Sequence, residues 1–379
     1  MSDSERRIRV LLLFGGRSAE HDVSRVSAVA AAKALDPTRY EVVPVAITKD
    51  GRWLTAGEAR AAIEAGPDAL PVAFDVEGDE VPAASVGSTV ASTRPDAGVA
   101  SGGALGADVV LPLIHGPYGE DGTVQGMLEL AGIPYVGAGV LGSAVGMDKV
   151  TMKQLFRAAA LPIVASVEFR ESHIGPELLD RIESELGFPC FVKPSNMGSS
   201  VGVSKARDRD QLTRGIDLAL AYDEWVIVEE AITGREIEVG ILGDDPPEVS
   251  EAGEIVPGDE FYTYADKYED GTAQLLAPAP ITDEQRATVR SLAVRAFEAC
   301  RCEAMARVDF FLEEQRPDGG PGRGFLLNEV NTIPGFTPIS MYPRLWDISG
   351  VPYPKLLDRL IELALDRHAR RARRAGRQR

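Results

Sequence analysis

Apolar residues follow two patterns near the N-terminus, continuous runs and helical stripes. Residues 8–16 (IRVLLLFGG) form a continuous apolar run, which is typical of a parallel strand covered on both faces. Residues 17–35 carry apolar side chains at helical spacing, and residues 41–51 form the next strand-like run. This strand–helix–strand order predicts an α/β domain with a parallel sheet and right-handed crossovers.

The same patterns predict further elements along the chain. Helices are predicted at 123–131, 147–162, about 208–221, from Thr282 onward and at 354–369. Strands are predicted at 107–116, 133–139, 224–232 and 235–242, and on both sides of a loop within 187–206. Residues 64–106 and 251–279 show no clear period, so we expect a surface insertion or long loop and a lid loop, respectively.

Two predicted strands near the C-terminus carry polar side chains on one face. Strand side chains alternate, so Arg307 and Asp309 share a face in ARVDFFLEE, and Glu329 and Asn331 share one in FLLNEVN. The three oxygen-bearing side chains are hard ligands suited to Mg²⁺, which keeps several waters and usually shares substrate phosphates. An ordinary amphipathic strand pair with its polar face in water remains open on this pattern alone.

Two further segments carry candidate nucleotide chemistry. In residues 191–202 (FVKPSNMGSSVG), Lys193 ends an apolar strand and precedes small residues whose backbone N–H groups can form an anion-binding loop. A hairpin turn with a surface lysine is the alternative. In residues 226–239 (VIVEEAITGREIEV), acids at the end of an apolar run suit an adenosine pocket or, alternatively, a strand that ends in solvent.

A glycine motif at 137–142 (GAGVLG) matches GxGxxG. A dinucleotide site needs this loop after the first strand, with an acid about 20 residues further on. The motif lies late in the predicted domain and no suitably placed acid follows, so a tight strand–helix turn is favoured over a nicotinamide site. The sequence has no GxxxxGK[ST], which excludes a P-loop fold.

Charge and cysteine content restrict the partners and the compartment. The net charge is −18, and residues 367–379 carry seven arginines and no acid, so removing them leaves −25 over residues 1–366. Such an acidic body argues against nucleic acid or an anionic membrane as the main partner. The three cysteines lack paired metal spacing and no apolar run could span a bilayer. These features predict a cytoplasmic protein.

Several motifs agree in order and spacing with one family. Lys149, FVKPSNMGSSVG, EEAITGRE, RVDFFL and NEVNTIPGFT resemble an ATP-grasp carboxylate–amine ligase. The chain most closely resembles the D-alanine–D-alanine ligase family, from GGRSAEHDVS through HGPYGEDGTVQG and FYTYADKYED to NTIPGFTPIS. The resemblance covers nearly the whole chain except the 64–106 region and the arginine-rich tail.

The resemblance implies an α/β architecture with an ATP-grasp fold, two α+β subdomains that grip ATP, preceded by an N-terminal α/β domain with a parallel sheet. The expected ranges are 1–147 for the N-terminal domain, 148–241 for the central subdomain and 242–366 for the C-terminal subdomain with its lid. Residues 367–379 are expected to be a disordered extension.

The resemblance also implies roles for individual residues. The ATP phosphates would be bound by Lys149 and Lys193, and the nucleoside by Glu229 and Glu236 beside Ile232. The rest of the nucleotide set would be Phe191, Ser199, Ser200, Glu230, Lys267 and Asn328. Two Mg²⁺ ions, for which Mn²⁺ can substitute, would be held by Asp309, Glu329 and Asn331.

The implied substrate residues surround the same site. Glu20 would anchor the ammonium of the first D-alanine and be linked to Ser199 and Tyr268, with His115 nearby. Arg307 and the Gly335 N–H would stabilise the oxyanion. Ser340 and Met341 would line the site of the second substrate, and Lys267 and Tyr268 would ride on the lid.

The implied activity is ATP-dependent ligation of two D-alanine molecules through an acyl phosphate, for peptidoglycan precursor synthesis. A homodimer is the implied assembly. The alternatives are a D-alanine–D-lactate ligase, against which Tyr268 argues by resemblance, and an ATP-binding protein without catalysis.

Overall fold

Three β-sheets organise the chain in a computed structural model that describes residues 6–83, 106–258 and 273–374. One sheet is built around parallel strands and the other two are antiparallel. This is the predicted combination of a parallel N-terminal sheet followed by two α+β units. It confirms the predicted α/β class with a parallel N-terminal sheet.

The N-terminal sheet has the strand order β4-β3-β2-β1-β5. Its strands are β1 (Ile8–Gly15), β2 (Tyr40–Ile47), β3 (Trp53–Thr55), β4 (Asp79–Glu80) and β5 (Val109–Pro112). Its helices are α1 (His21–Ala34), α2 (Gly57–Ala65), α3 (Thr123–Ala131) and α4 (Val140–Met147). Strand β1 pairs in parallel with β2 and β5, as the apolar run predicts.

Two predictions in this domain were wrong in part. Residues 133–139 form no strand, and their pairing is a single bridge between Tyr135 and Val110. The described part of the 64–106 segment is also more ordered than a surface loop, because β4 pairs with β3 and Phe74 is fully buried against Phe14. Residues 84–105 lie outside the described residues.

The central sheet has the order β6-β9-β7-β8. Its strands are β6 (Ser166–Arg170), β7 (Cys190–Pro194), β8 (Ser204–Ala206) and β9 (Trp225–Glu230). Helices α5 (Lys149–Ala158), α6 (Pro176–Leu186) and α7 (Arg209–Leu220) belong to the same region. Asp148 caps α5 by accepting from the Thr151 N–H at 2.7 Å, at the start of the helix predicted for 147–162.

The C-terminal sheet has the order β12-β11-β10-β13-β14. Its strands are β10 (Arg235–Leu242), β11 (Glu248–Val256), β12 (Gln274–Leu276), β13 (Met305–Gln315) and β14 (Pro321–Asn331). Its helices are α8 (Asp283–Ala299), α9 (Met341–Ile348) and α10 (Tyr353–Ala372). The predicted lid, 251–279, therefore begins inside β11 and ends beyond β12, and its middle part lies outside the described residues.

The arginine-rich segment corrects another expectation. Helix α10 continues to Ala372, and the Arg367 side chain is buried, so the start of the segment is not a solvated extension. Arg367 donates to the backbone oxygens of Tyr135 and Gly137, both at 2.6 Å. These contacts tie the last helix to the N-terminal domain.

All three cysteines are free and buried, and Cys300 stands at the C-cap position of α8. Among the helices in the described ranges, none is long and apolar enough to cross a membrane.

Candidate active site

A cavity of about 960 Å³ is lined by residues of the central and C-terminal sheets and by helix and loop residues that surround the N-terminal sheet. Polar side chains from β7, β9, β10, β13 and β14 point into it, together with loops from the N-terminal domain. Nearly all of the predicted site residues line this cavity. They are Glu20, His115, Lys149, Phe191, Lys193, Ser199, Ser200, Glu229, Glu230, Ile232, Glu236, Arg307, Asp309, Asn328, Glu329, Asn331, Gly335, Ser340 and Met341.

The predicted polar face of β13 and β14 is present. Arg307 lies directly opposite Asn331, and Asp309 lies opposite Glu329 in the antiparallel register. Val330, between the two polar residues of β14, is buried in the core. A bulge makes Asn328 the extra residue of β14, because Asp309 pairs with Glu329 whereas the next residue of β13 pairs with Leu327.

Arg307 organises the charges of this face. Its Nε and Nη2 atoms each donate to one carboxylate oxygen of Asp309 at 2.8 Å, and its Nε lies 3.2 Å from Glu238 Oε2 on β10. Burial opposes the charge of the guanidinium, but Asp309 and Glu238 outweigh it and raise the pKa of Arg307 well above its ordinary value. Arg307 is therefore a fixed cation at the floor of the cavity.

The glycine-serine loop after β7 meets the N-terminal domain. Ser199 Oγ donates to Glu20 Oε1 at 2.5 Å, a contact between segments far apart in sequence. Ser199 and Ser200 both have left-handed backbone conformations, with φ of 48° and 58°. Such conformations are uncommon for residues other than glycine, and they cluster at functional loops.

Lys149 joins this loop to the carboxylate face. Its Nζ donates to the Met197 backbone oxygen at 2.6 Å and lies 3.8 Å from Glu329 Oε2. Lys149 is the first residue of α5, so the helix terminus fixes where its side chain begins.

Lys193 belongs to a buried group of three charges, which we call the lysine–glutamate triad (Lys153, Lys193 and Glu229). Lys193 Nζ donates to Glu229 Oε2 at 2.6 Å, and Lys153 Nζ lies 2.8 Å from Glu229 Oε1. Burial alone would raise the pKa of Glu229, but the two ammonium groups outweigh it and lower that pKa to about 2. For Lys153, burial is the largest effect and lowers its pKa, against the attraction of Glu229.

The other predicted nucleotide residues differ in what they contact. Glu230 accepts from Arg323 Nη1 at 2.7 Å and from the Ala165 N–H, so its carboxylate links β9 to β14. Lys205 Nζ lies 5.7 Å from the centre of the Phe191 ring. Glu236 is half-buried on β10, and Ile232 follows β9 at the cavity wall.

His115 and Glu120 connect the N-terminal domain to the loop after β14. His115 is buried, with Nδ1 3.0 Å from the Ile333 backbone oxygen. Glu120 accepts from the N–H groups of Gly116 at 2.8 Å and Ile333 at 3.2 Å. Burial, reinforced by the charge of Glu20, raises the pKa of Glu120 to about 8.

The loop after β14 reaches the predicted acceptor side of the cavity. Ser340 stands at the N-cap position of α9 with an extended backbone, and its Oγ lies 2.8 Å from Thr337 Oγ1 rather than on a helix N–H. Met341 is buried in a small apolar cluster with Ile255 and Leu345. Gly335 lies beside Ser340, since a Cβ there would be 3.2 Å from the Ser340 hydroxyl.

Lys267 and Tyr268, which are predicted to lie on the lid, are outside the described residues. The residues in or near the cavity that were not predicted include Glu120, Lys153 and Glu238. Glu120 lies within the HGPYGEDG motif, which was a usable signal. Lys153 and Glu238 read as ordinary polar positions on a helix and a strand, and their importance arises only from the charges packed against them.

The side chains on β13 and β14 fit a magnesium site by their chemistry. Asp309, Glu329 and Asn331 supply two carboxylates and an amide from neighbouring strands, and Mg²⁺ completes its shell with water and phosphate oxygens. Asn331 Nδ2 donates to Asp309 Oδ2 at 2.9 Å, so the amide and carboxylate already adjoin. The proposed set contains two carboxylates and an asparagine amide. Within the described ranges, no group of three or more His, Cys, Asp or Glu side chains could hold a metal ion.

Comparisons with known proteins agree with these features. Residues 9–138 match the family model for the D-ala D-ala ligase N-terminus, and residues 155–362 match the model for the D-ala D-ala ligase C-terminus. The chain is 47% identical over 374 residues to a D-alanine–D-alanine ligase of Geobacillus kaustophilus, which covers 96% of each protein.

Solved structures of similar ligases share the fold of this chain, which confirms the predicted α/β, ATP-grasp fold class. The D-alanine-D-alanine ligase from Coxiella burnetii superposes with a TM-score of 0.77 at 33% identity and covers 96% of each chain. The VanG D-Ala:D-Ser ligase from Enterococcus faecalis superposes with a TM-score of 0.77 at 32% identity, covering 95% of this chain and 100% of that one.

Proposed function

This chain belongs to the D-alanine–D-alanine ligase family, and we propose from this premise that it joins two D-alanine molecules at the expense of ATP. The carboxylate of the first D-alanine attacks the γ-phosphorus of ATP, and ADP leaves. The amine of the second D-alanine attacks the carbonyl of the resulting acyl phosphate. The amide forms as inorganic phosphate leaves and the amine gives up a proton, and the dipeptide serves peptidoglycan precursor synthesis.

One observation carries the proposal, namely that cations and oxygen ligands converge in a single cavity. Lys149, Lys193 and Arg307 enter it from three different elements, beside the carboxylates of β13 and β14. Phosphoryl transfer depends mainly on positioning and charge neutralisation, so this equipment suits it. We assign the phosphates to Lys149 and Lys193 and the nucleoside to the wall formed by Glu229, Ile232 and Glu236.

The metal assignment is part of the proposal. Asp309, Glu329 and Asn331 would hold two Mg²⁺ ions, which would neutralise phosphate charge when bound. The contacts of Arg307 and Asn331 with Asp309 orient that carboxylate toward the neighbouring strand. Because Arg307 also faces the cavity, we assign it and the Gly335 N–H to the oxyanion.

The substrates are assigned to the opposite ends of this face. Glu20, held by Ser199, is a carboxylate suited to the ammonium of the first D-alanine, with His115 nearby. Ser340 and Met341 are assigned to the second D-alanine. Tyr268 and Lys267 are proposed to close over the site and keep water from the acyl phosphate.

Further proposals follow from the family alone. We infer the domain ranges 1–147, 148–241 and 242–366, which the separate family matches at 9–138 and 155–362 support. A homodimer and a cytoplasmic location are also inferred.

The decisive experiment is a phosphate-release assay with ATP and Mg²⁺. We expect release to depend on D-alanine, to fail with L-alanine, and to yield the dipeptide. Arg307→Met is expected to lower kcat by about 100-fold or more, because the oxyanion loses a fixed cation. The exposed Arg60→Met is the matched control.

The same assay separates the alternatives. Ester formation that dominates with D-alanine plus D-lactate near neutral pH would identify a depsipeptide ligase. ATP binding without phosphate release on any D-amino acid would identify a non-catalytic nucleotide-binding protein. Either result would overturn the proposal.

A further inference from the structure

Lys153 is a charged residue at a place where charge is costly. It lies in the middle of α5, and its side chain is only 1% exposed. A lysine is almost never fully buried unless it is paired. Its Nζ contacts Glu229 Oε1 at 2.8 Å and donates more weakly to the Leu327 backbone oxygen at 3.4 Å.

The pairing of Lys153 changes what Lys193 can do. Lys193 donates to the other carboxylate oxygen of Glu229. Its side chain is the most exposed of the three in the triad, at 14%. If Glu229 had Lys193 as its single partner, the two charges would cancel and the pair would offer little attraction to a phosphate. Lys153 contacts the other carboxylate oxygen of Glu229, so the positive charge of Lys153 compensates the negative charge of Glu229.

We propose that Lys153 is a positioning residue for ATP, which neutralises Glu229 so that the charge of Lys193 is available to the triphosphate. This inference rests on the proposed function, which places Lys193 at the phosphates. The triad then carries one net positive charge, and its excess lies on the member nearest the cavity. Glu229 meanwhile holds Lys193 in one orientation through a charge-assisted hydrogen bond.

The arrangement also explains why a buried triad of unequal charge is kept. The buried group itself has two lysines and one glutamate, and the other carboxylates that attract Lys193, namely Glu236 and Glu329, line the cavity. A balanced or apolar buried group would be a more stable choice. An anionic ligand restores the balance when it binds. The imbalance is therefore useful for a site that recognises a polyanion.

Lys153→Met tests the role, because methionine is unbranched, flexible and able to fill the space of a buried lysine stem. The remaining pair of Lys193 and Glu229 is neutral, so the variant keeps no uncompensated buried charge. We expect the affinity for ATP, measured by calorimetry without D-alanine, to fall by about tenfold or more. The affinity for adenosine, measured by displacement, is expected to stay within about twofold, since adenosine carries no phosphate.

The double variant Lys153→Met with Glu229→Gln separates charge from structure. It removes one positive and one negative charge, so the triad returns to a net charge of one. We expect the ratio of ATP affinity to adenosine affinity to recover to near that of the unmodified protein. The control Arg157→Met removes a cation of the same helix whose partner, Glu168, does not line the cavity, and it should leave the ratio unchanged.

Each outcome has one interpretation. Equal losses of ATP and adenosine affinity in Lys153→Met, or no recovery in the double variant, would mean that Lys153 only supports the fold and would overturn the inference. Failure of the unmodified protein to bind ATP would instead overturn the proposed function. If Lys193→Met lowers the ratio and Lys153→Met does not, the phosphate assignment survives and this inference fails.

Discussion

Glu120 is a carboxyl whose pKa is strongly changed by its surroundings. It lies behind Glu20 at the wall of the cavity, and both of its oxygens accept backbone N–H groups from different segments. Those bonds favour the ionised form, yet burial and the charge of Glu20 outweigh them and raise the pKa to about 8. At neutral pH the carboxyl therefore holds a proton that the unfolded chain would release.

This linkage predicts a pH-dependent stability. The unfolded pKa of a glutamate is about 4.3, so the folded state binds the extra proton between that value and about pH 8. The stability that Glu120 contributes is present below the unfolded pKa and is lost as the pH rises through the folded pKa. Glu120→Gln removes the titration, so its Tm relative to the unmodified protein should rise as pH increases from about 4.5 to 8.

Thermal unfolding at several pH values measures this difference. Glu64→Gln, on an exposed surface of α2, serves as the control and should show the same pH profile as the unmodified protein. A difference between Glu120→Gln and the unmodified protein that is constant over this range would contradict the assigned proton.

At the scale of elements, local signals determine where α8 begins. Thr282 Oγ1 accepts from the Gln285 N–H at 3.2 Å, and Gln285 Oε1 accepts from the Thr282 N–H at 2.9 Å. This is the capping box that the sequence TDEQ predicts. Helix α8 packs Val289, Ala293 and Phe297 into the core of the C-terminal sheet, so its start matters to that core.

Removal of this cap should cause a measurable loss of stability. Thr282→Ala should lower the free energy of unfolding by about 1 kcal/mol, because the Gln285 backbone N–H loses its hydroxyl acceptor. Thr288→Ala is the matched control, since Thr288 is exposed within the same helix and its hydroxyl donates only back to the Glu284 backbone oxygen. Urea unfolding compares them, and equal losses in the two variants would contradict the capping role.

Other elements could not be predicted from the sequence pattern of their own residues. Strand β11 contains three glutamates, and its sequence shows no alternation, yet Glu254 is buried. The explanation is on the neighbouring strand β10, where Arg235 donates to both oxygens of Glu254, at 2.9 and 2.7 Å. A buried ion pair between strands cannot be read from either strand alone.

At the scale of the whole molecule, the end of α10 holds separate regions together. Arg367 donates to two backbone oxygens of the N-terminal domain, and Arg371 pairs with Glu129 of α3 and with Glu303 just before β13. Arg370 pairs with Asp244, next to β10. We call this set of contacts the arginine clasp (Arg367, Arg370 and Arg371).

The arginine clasp predicts that substitution of Arg367 causes a large loss of stability. Arg367 lies beyond the region that matches the family model, which ends at residue 362. Arg367→Met leaves the Tyr135 and Gly137 oxygens buried without their charged donor, and should lower the free energy of unfolding by about 2–4 kcal/mol. Arg373→Met, at an exposed site that contacts its own helix, should change it by less than about 0.5 kcal/mol. Guanidinium unfolding measures the free energy of unfolding of both variants. Similar losses in the two variants would contradict the stabilising role of the arginine clasp.

The sequence by itself determined those features that depend on neighbours along the chain. Apolar runs identified β1 and β2, TDEQ identified the start of α8, and period-two alternation put Asp309 and Glu329 on the faces they occupy. The order of motifs identified the family. These signals are local, because strand periodicity, caps and loop chemistry are fixed within a few residues.

Only the tertiary structure decided how distant charges combine. The sequence shows Lys153 as a polar position of a helix, Glu254 as part of a loop and Arg367 as the start of a tail. Each is buried because a partner from another segment compensates it, namely Glu229, Arg235 and the backbone oxygens of residues 135 and 137. The free energy of a buried charge depends on what surrounds it in space, and that information is absent from local sequence patterns.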